Sequence, residues 1–165
     1  MILKAEPLSE AAFAPFGHVI QTAGHAPRMI NEGTCERFDD LAPVDVAANG
    51  GRPLLSIFKA APRPLPFEVR VLERHPLSSQ AFYPLDGVPF LVVVAENDAA
   101  GGASWSRSIR AFLAKGNQGV SYRPNTWHHA LIAIGRTSHF LVVDRGGPGE
   151  NCDEVAVDPG VVVTV

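Results

Sequence analysis

A carboxylate and an imidazole, Glu73 and His75, stand two residues apart at the end of a stretch, beginning at Phe67, in which apolar and charged residues alternate. Side chains of a β-strand alternate between its two faces, so this stretch predicts that Glu73 and His75 continue its buried face. A carboxylate and an imidazole that point inward must be paired, bind a metal or line a cavity. The alternative is that the strand emerges into solvent before Pro76.

Two adjacent histidines, His128 and His129, follow Trp127 and form the second group with catalytic potential. Neighbouring residues of a strand face opposite ways, so at most one of the two can point into a common pocket through that strand. The residues that follow are apolar on both faces, and periodicity therefore does not select between them. Histidine suits proton transfer near neutral pH, which makes either residue a candidate base.

One spacing resembles the first metal-binding motif of cupin barrels. Glu73-x-His75 is followed after four residues by Gln80 and after six more by Gly87. The cupin motif has His, His and Glu where this chain has Glu73, His75 and Gln80. The ligand set is therefore altered, and because glutamine is a weak neutral ligand, we expect it to bind metal less tightly than three histidines would.

A second spacing, Pro124-x-Thr126-x-x-His129, resembles the Pro-x-Gly-x-x-His motif of the same barrels. It favours His129 as the inward residue and places His128 outward or at a subunit interface. The metal ligands that the two motifs together would supply are Glu73, His75, Gln80 and His129.

Strands are the elements predicted to position these groups. The 165 residues are expected to form one domain, residues 1–165, and 15 Gly and 14 Pro are too many for a helix bundle. Ser9 is predicted to cap a short helical turn that ends near Phe13. The Ala- and Gly-rich residues 97–103 are predicted to form a surface loop. The predicted strands are Leu54–Ala60, Phe67–His75, Phe90–Ala95, Ser106–Lys115, Trp127–Ile134 and His139–Asp144. Many strands and little helix favour an all-β antiparallel barrel or sandwich with a few short helices.

Composition excludes several functional classes. A net charge of −3 disfavours a nucleic-acid partner, and no apolar run is long enough to cross a bilayer. No secretory signal is visible, so a cytoplasmic location is expected. Cys35 and Cys152 match no disulfide framework and no zinc spacing. No Gly-rich loop joins a strand to a helix, so no organic cofactor is expected.

Five blocks of this sequence resemble the ureidoglycolate lyase family, formerly called ureidoglycolate hydrolase. The most distinctive read Glu-Arg-His-Pro from Glu73, Trp-His-His from Trp127 and Asp-Arg-Gly-Gly from Asp144. The blocks lie within residues 30–41, 73–84, 110–112, 119–129 and 144–153. The resemblance extends over nearly the whole chain, and the combined pattern is more specific than any single block.

The resemblance implies a cupin-like β-barrel that forms a homodimer. It implies cleavage of (S)-ureidoglycolate to glyoxylate and urea, a late step of allantoin breakdown that releases purine nitrogen. It also implies a divalent metal such as Ni²⁺. Two alternatives remain open: a metal-dependent cupin oxygenase or isomerase, and a non-catalytic cupin that binds a small molecule.

The implied reaction needs three groups, because ureidoglycolate carries a hydroxyl, a carboxylate and a urea nitrogen on one carbon. A base takes the hydroxyl proton, an acid protonates the departing nitrogen, and a cation holds the carboxylate. A histidine suits the base, and a buried, protonated Glu73 could supply the acid. Arginine suits the carboxylate because its fork is bidentate. The cationic candidates are Arg37, Arg110, Arg145 and Lys59, and the candidates for bonding the ureido group are Tyr122 and Asn31.

Overall fold

The computed structural model describes residues 1–98, 102–103 and 105–165. In chain order the strands are β1 (Ile2–Lys4), β2 (Glu6–Pro7), β3 (Gly17–Ile20), β4 (Arg28–Ile30), β5 (Cys35–Arg37), β6 (Arg52–Ala60), β7 (Phe67–Arg74), β8 (Gln80–Pro84), β9 (Phe90–Ala95), β10 (Arg110–Ala114), β11 (Gly119–Tyr122), β12 (Trp127–His128), β13 (Ile132–Ala133), β14 (Ser138–Gly146) and β15 (Asp153–Thr164). The helices are α1 (Glu10–Phe13) and α2 (Trp105–Ser108), with 3₁₀ turns at Asn31–Gly33 and Ala48–Gly50. No helix in the described ranges has the length and hydropathy that a membrane span requires.

The prediction of an all-β, barrel-like fold with few short helices is confirmed. Ser9 caps α1 as predicted, its hydroxyl oxygen accepting the backbone N–H of Ala12 at 3.3 Å. The predicted strand at residues 106–115 begins instead as the helix α2 and continues as β10, and the one at residues 127–134 is interrupted between β12 and β13. The predicted loop at residues 97–103 lies partly outside the described residues.

The larger sheet has the strand order β1, β15, β7, β12, β9, β10, β2. Its two end strands are successive parts of one N-terminal segment, so the sheet nearly closes on itself. Both end pairings, β1 with β15 and β10 with β2, are parallel, whereas a wholly antiparallel barrel was expected. Its interior is an apolar core that includes Phe67, Val69, Leu72, Val93 and Trp127.

The smaller sheet, ordered β3, β11, β8, β14, β6, packs against the outside of this barrel. Strand β9 is buried on both faces, which explains its continuous apolar sequence. Leu91 and Val93 point into the barrel, and Val92 and Val94 point into the layer between the sheets. Most of that layer is a second apolar core that includes Phe13, Phe82, Phe112, Tyr122, Phe140 and Val142.

An irregularity in strand pairing decides which face of β7 reaches this layer. Val69 pairs with Val161 and Val71 with Ala156, so residues 157–160 of β15 have no single counterparts on β7. Such a bulge increases the local twist. Val71 is 41% exposed and Leu72 is fully buried in the barrel core, so the simple alternation predicted from Phe67 is wrong beyond Val69. Residue 73, the neighbour of Leu72, consequently faces the layer between the sheets.

Candidate active site

Strand register brings a carboxylate and an imidazole together in the layer between the sheets. Glu73 on β7 lies directly opposite His128 on β12, and His128 lies opposite Val94 on β9. Directly paired residues of antiparallel strands share one face of the sheet. Since Val94 belongs to the core between the sheets, Glu73 and His128 face that layer too.

Glu73, His75 and His128 form a compact cluster whose ligand atoms all lie within 4.8 Å of one another. His128 Nε2 is 3.5 Å from Glu73 Oε1, and His75 Nε2 is 4.0 Å from the same oxygen. His75 Nε2 also lies 3.2 Å from the amide of Gln80. The structure thus brings Glu73, His75 and Gln80 together, although on the face of β7 opposite to the one that simple alternation predicts.

Backbone carbonyls fix the tautomer of both histidines. His75 Nδ1 is 2.6 Å from the Asn151 carbonyl oxygen, and His128 Nδ1 is 2.8 Å from that of Thr126. A carbonyl oxygen can only accept, so each Nδ1 carries a hydrogen. In the neutral rings each Nε2 then presents a lone pair, and both lone-pair nitrogens lie next to Glu73.

His128 is held rigidly and is almost inaccessible. It is 1% exposed, and within the described part of the chain its Nε2 has no hydrogen-bond partner. The ring of Tyr122 stacks on it at 4.1 Å with an interplanar angle of 17°. Burial raises the pKa of Tyr122, and the charge of Glu73 adds to the rise. Tyr122 therefore remains a neutral phenol that orients His128, rather than a group in the wall of the cavity described next.

The pKa of Glu73 lies below its usual range. The largest cause is the His128 imidazole, whose Nε2 lies 3.5 Å from the carboxylate, and the nearby histidine charges add to it, together outweighing burial. Glu73 is therefore ionised at neutral pH, which contradicts the expectation of a protonated Glu73 that supplies the acid. An ionised carboxylate beside two imidazoles instead stabilises an imidazolium or a bound cation.

A cavity of about 290 Å³ opens beside the cluster. Its wall includes His75, Gln80, Asp144, Arg145, Asn151 and Cys152. Cys152 is an exposed residue. The partial burial of its thiol nevertheless raises the pKa of that group, and the charge of Glu73 adds to the rise. The polar wall and the volume suit a small, hydrogen-bonding molecule.

Arg145 is the one cationic candidate that the described residues place in this wall. Its Nη2 donates to the carbonyls of Ala48 and Pro148, at 2.7 Å each, and its Nε donates to Ala48 at 3.2 Å. Nη1 forms no hydrogen bond within the described ranges. Arg145 thus ties two loops to the cavity and keeps one nitrogen for a ligand.

The other predicted substrate-binding residues lie elsewhere. Arg110 pairs with Glu6 at 2.8 Å, and its guanidinium stacks over Phe112. Lys59 is exposed on β6. Asn31 and Arg37 belong to the hairpin of β4 and β5, a separate two-stranded sheet in which both residues are exposed.

The predicted orientation of the histidine pair is reversed. His129 lies on the opposite face of its strand from His128, and its ring packs edge-on against Phe67 with centroids 5.1 Å apart. Burial lowers the pKa of His129. The cupin spacing selected the wrong residue because the face is set by the pairing of His128 with Glu73, which the local sequence does not contain.

A model of the ureidoglycolate lyase family matches residues 1–164 of this chain. The chain belongs to the ureidoglycolate lyase family. It is 57% identical to a ureidoglycolate lyase of Burkholderia mallei over 92% of this chain and 87% of that protein. It is 51% identical to one of Brucella anthropi over 92% and 88%, and 47% identical to one of Rhizobium etli over 98% and 95%. The resemblance read from the sequence blocks is confirmed.

The donor set of this lyase-family chain fits a divalent cation. One carboxylate and two lone-pair nitrogens converge at Glu73, His75 and His128, and the backbone carbonyls bound to Nδ1 orient both rings as metal-binding histidines require. The buried, unpartnered Nε2 of His128 is accounted for by such a ligand. The fitting set contains His128 in place of the predicted His129.

Two residues of this family site escaped the sequence reasoning. Asn151 ties the connection between β7 and β8 to the cluster: its carbonyl accepts from His75 Nδ1, its Oδ1 accepts the N–H of Leu77 at 2.7 Å, and its Nδ2 donates to Ser78 at 3.0 Å. Asp144 lines the cavity. Both lie in the block at residues 144–153, so the block itself was the available signal.

Proposed function

We propose that the protein cleaves ureidoglycolate to glyoxylate and urea in the cavity beside Glu73, His75 and His128. The observation that carries this function is the convergence of two fixed imidazoles on one ionised carboxylate, next to a polar cavity, in a chain of the ureidoglycolate lyase family. An oxygenase or a non-catalytic binding module has no observation in its favour.

His75 is the proposed base. It lines the cavity, and its Nδ1–H is held by the Asn151 carbonyl, so Nε2 is the nitrogen that takes the proton of the substrate hydroxyl, which must displace the Gln80 amide from its position 3.2 Å away. As His75 takes this proton, the oxygen forms the C=O bond of glyoxylate and the C–N bond breaks, its electron pair going to the urea nitrogen. The imidazolium of His75 then returns the proton to that nitrogen, so no proton and no water is consumed.

Glu73 and His128 are the proposed support for this proton transfer. The ionised carboxylate of Glu73 lies 4.0 Å from His75 Nε2 and stabilises the imidazolium during the reaction. His128, held between Tyr122 and Thr126, fixes Glu73. His128 therefore acts as a positioning residue, while the catalytic role predicted for His129 has no contact with the cluster to support it.

Arg145 is the proposed partner of the substrate carboxylate through Nη1. Its other donors are bound to loop carbonyls, so its guanidinium is already ordered before the substrate arrives. Such preorganisation reduces the entropy lost on binding.

A divalent cation such as Ni²⁺, as the family resemblance implies, would be held by Glu73, His75 and His128. Nε2 of His75 would then be a ligand, so the role of base applies to the protein without that cation. When bound, it would supply Lewis-acid polarisation of a substrate oxygen. Metal analysis of protein purified without chelator, for the wild type and for His128→Ala, tests this part independently of turnover. We expect the variant to lose the metal that the wild type carries.

The reaction is tested by incubating the protein with racemic ureidoglycolate and measuring urea, glyoxylate, ammonia and oxygen uptake. We expect equal amounts of urea and glyoxylate, no ammonia and no oxygen consumption. Ammonia would indicate hydrolysis of the ureido group, oxygen uptake would indicate an oxygenase, and unchanged substrate that still binds would indicate a binding module. We expect this reaction to serve purine-nitrogen recovery from allantoin in the cytoplasm.

A homodimer is proposed from an uncovered edge of the smaller sheet. Within the described residues β6 pairs only with β14, and its Leu55 and Ile57 are 74% and 57% exposed. A long apolar edge strand left in water is a liability that proteins usually cover. We expect light scattering to show a dimer for the wild type and a monomer for the double variant Leu55→Asp with Ile57→Asp. The turn variant Leu85→Asp, at a residue that is 50% exposed, is the control that should remain dimeric.

The homodimer also gives Asn31 and Arg37 a route to the substrate. Their hairpin pairs with no other described strand, and it belongs to the block at residues 30–41 that resembles the family. We propose that the hairpin reaches the cavity of the partner subunit. Mixing refolded Arg37→Ala with His75→Ala chains should then restore activity, up to about a quarter of the wild-type level in a random mixture of dimers. A mixture that stays as inactive as its components would refute this arrangement.

A further inference from the structure

Asp144 stands in the cavity wall without a role in the proton transfer. On β14 it follows Phe140 and Val142, both buried in the core between the sheets, so alternation turns Asp144 toward the same layer. Val142 pairs with Phe82 of β8, and the same register sets Asp144 beside Gln80. The sheet that faces Glu73 and His128 therefore contributes a carboxylate of its own.

One oxygen of this carboxylate is unsatisfied. Oδ1 of Asp144 is buried and has no hydrogen-bond partner among the described residues. The neighbouring Arg145 does not neutralise it, because Nε and Nη2 of that side chain are directed to the carbonyls of Ala48 and Pro148. A buried polar atom without a partner costs free energy, so a ligand that supplies donors at this position would be favoured.

The substrate offers such donors at one end only. Ureidoglycolate carries its carboxylate and hydroxyl on the carbinol carbon, whereas its ureido end has an N–H and an NH₂ that can point the same way. Two parallel N–H donors match the two oxygens of a carboxylate, as one edge of a guanidinium does. Among the described residues the cavity wall contains the complementary pair: Nη1 of Arg145, which has no hydrogen-bond partner, and the Asp144 carboxylate, whose Oδ1 has none.

We propose that Asp144 is the specificity-determining residue that binds the ureido group. This inference rests on the proposed function and adds the part of the substrate that the proton-transfer cluster does not recognise. It assigns Arg145 to the carboxylate end and Asp144 to the urea end, so the two products are held by different residues. Loss of either residue should therefore affect one product and spare the other.

The inhibition constants of the two products, urea and glyoxylate, measure binding at the ureido end and at the carboxylate end separately. We would compare the wild type with Asp144→Asn, which is nearly isosteric, and with Glu68→Gln, which removes an exposed carboxylate of β7 that does not line the cavity. For Asp144→Asn we expect the urea inhibition constant and the KM for ureidoglycolate to rise by about tenfold or more, as loss of a charged hydrogen bond implies. The glyoxylate inhibition constant should stay within about twofold, and Glu68→Gln should leave all three values unchanged.

Several outcomes would overturn the proposal. Equal increases in the urea and glyoxylate constants, or no increase in either, would show that Asp144 only shapes the cavity. Asp144→Ser is the second variant in case the amide disturbs the fold, and melting temperatures identify such damage. If both variants fail to fold, Asp144 is a structural residue and the proposal is wrong.

A binding measurement distinguishes failure of this inference from failure of the proposed function. If the wild type does not turn over ureidoglycolate, the proposed function fails, but urea binding can still be followed by saturation-transfer NMR. Binding of urea to the wild type that is lost in Asp144→Asn and kept in Glu68→Gln would support the assignment without turnover. Equal binding to all three proteins would overturn it.

Discussion

Two cavities of nearly equal volume contain the same kinds of side chain and differ in how those side chains are paired. The cavity beside Glu73 measures about 290 Å³, and the other, beside α1 and β3, about 270 Å³. The second is lined by Glu10, His18, His25 and Arg123, so it too combines histidines with a carboxylate and a guanidinium. Size and composition therefore do not distinguish a candidate active site here.

The two cavities differ in how their charged and imidazole side chains are hydrogen-bonded and paired. In the second cavity Glu10 accepts from His25 at 2.7 Å and from Gln21 at 3.0 Å, and both members of the Glu10–His25 ion pair are well exposed. In the first, backbone carbonyls hold the Nδ1–H groups of His75 and His128, and both Nε2 atoms remain directed at Glu73. The exposed Glu10–His25 pair is hydrogen-bonded and solvated, so it does not need a ligand. The buried imidazoles of the first cavity keep nitrogen lone pairs that a ligand can engage.

The largest effect on turnover is expected from a substitution in the first cavity. His75→Ala removes the proposed base, so kcat should fall by about 10²–10⁴-fold, the range of general acid–base catalysis. His25→Ala, in the second cavity, is the matched control and should keep wild-type turnover. Steady-state assay of urea release measures both. A His75→Ala enzyme that retains most of its activity would remove the base from this mechanism.

The next largest effect on turnover is expected to distinguish the adjacent histidines, His128 and His129. His128→Ala should lower kcat by at least about tenfold, because Glu73 loses the imidazole that holds it in place at 3.5 Å. His129→Ala loses only packing against Phe67, so it should lower the melting temperature more than it lowers kcat. Turnover and thermal unfolding are measured on both variants. The opposite ranking in kcat would restore the inward orientation of His129 that the cupin spacing favours.

Local sequence predicted the elements better than the contacts between them. The cap at Ser9 and the doubly buried strand β9 are encoded by neighbouring residues, and both were predicted. Strand β15 was missed, since its alternation is interrupted by Pro159 and Gly160. The choice of His128 depends on its pairing with Glu73, which lies 55 residues away in the sequence, and no local periodicity contains that information.

The same limit explains why the sequence could not select the arginine that lies in the cavity. Arg37, Arg110 and Arg145 all lie in blocks that resemble the family, and nothing local ranks them. Only the fold shows that Arg110 is engaged by Glu6, while Arg145 lies in the cavity with one free nitrogen. Arg145→Ala should raise KM by about tenfold with a smaller loss of kcat, because the carboxylate is held in ground and transition states alike. A loss confined to kcat would assign Arg145 to the reacting atoms instead.

An intermediate effect concerns pH and stability. The folded-state pKa of Glu73 is lowered, so the stability that this carboxylate contributes is present above its unfolded pKa and is lost as pH falls through the folded value. The melting temperature of the wild type should therefore exceed that of Glu73→Gln at pH 7, and the difference should shrink below about pH 4. Thermal unfolding across that range measures it. A difference that is constant with pH would mean that the ionised form is not what stabilises the cluster.

The smallest effect is expected in the second cavity, where Glu10→Gln removes the carboxylate that His25 and Gln21 bind. The pKa of Glu10 is lowered mainly by the hydrogen bond from His25, but the pair is exposed and solvent screens it. We expect turnover within about twofold of the wild type and a fall in melting temperature of less than about 3 °C, which added salt should diminish further. Activity assays and thermal unfolding at low and high salt check this. If Glu10→Gln reduced kcat as strongly as His75→Ala, pairing would not be the property that separates the two cavities, and the second one would have to be included in the catalytic mechanism.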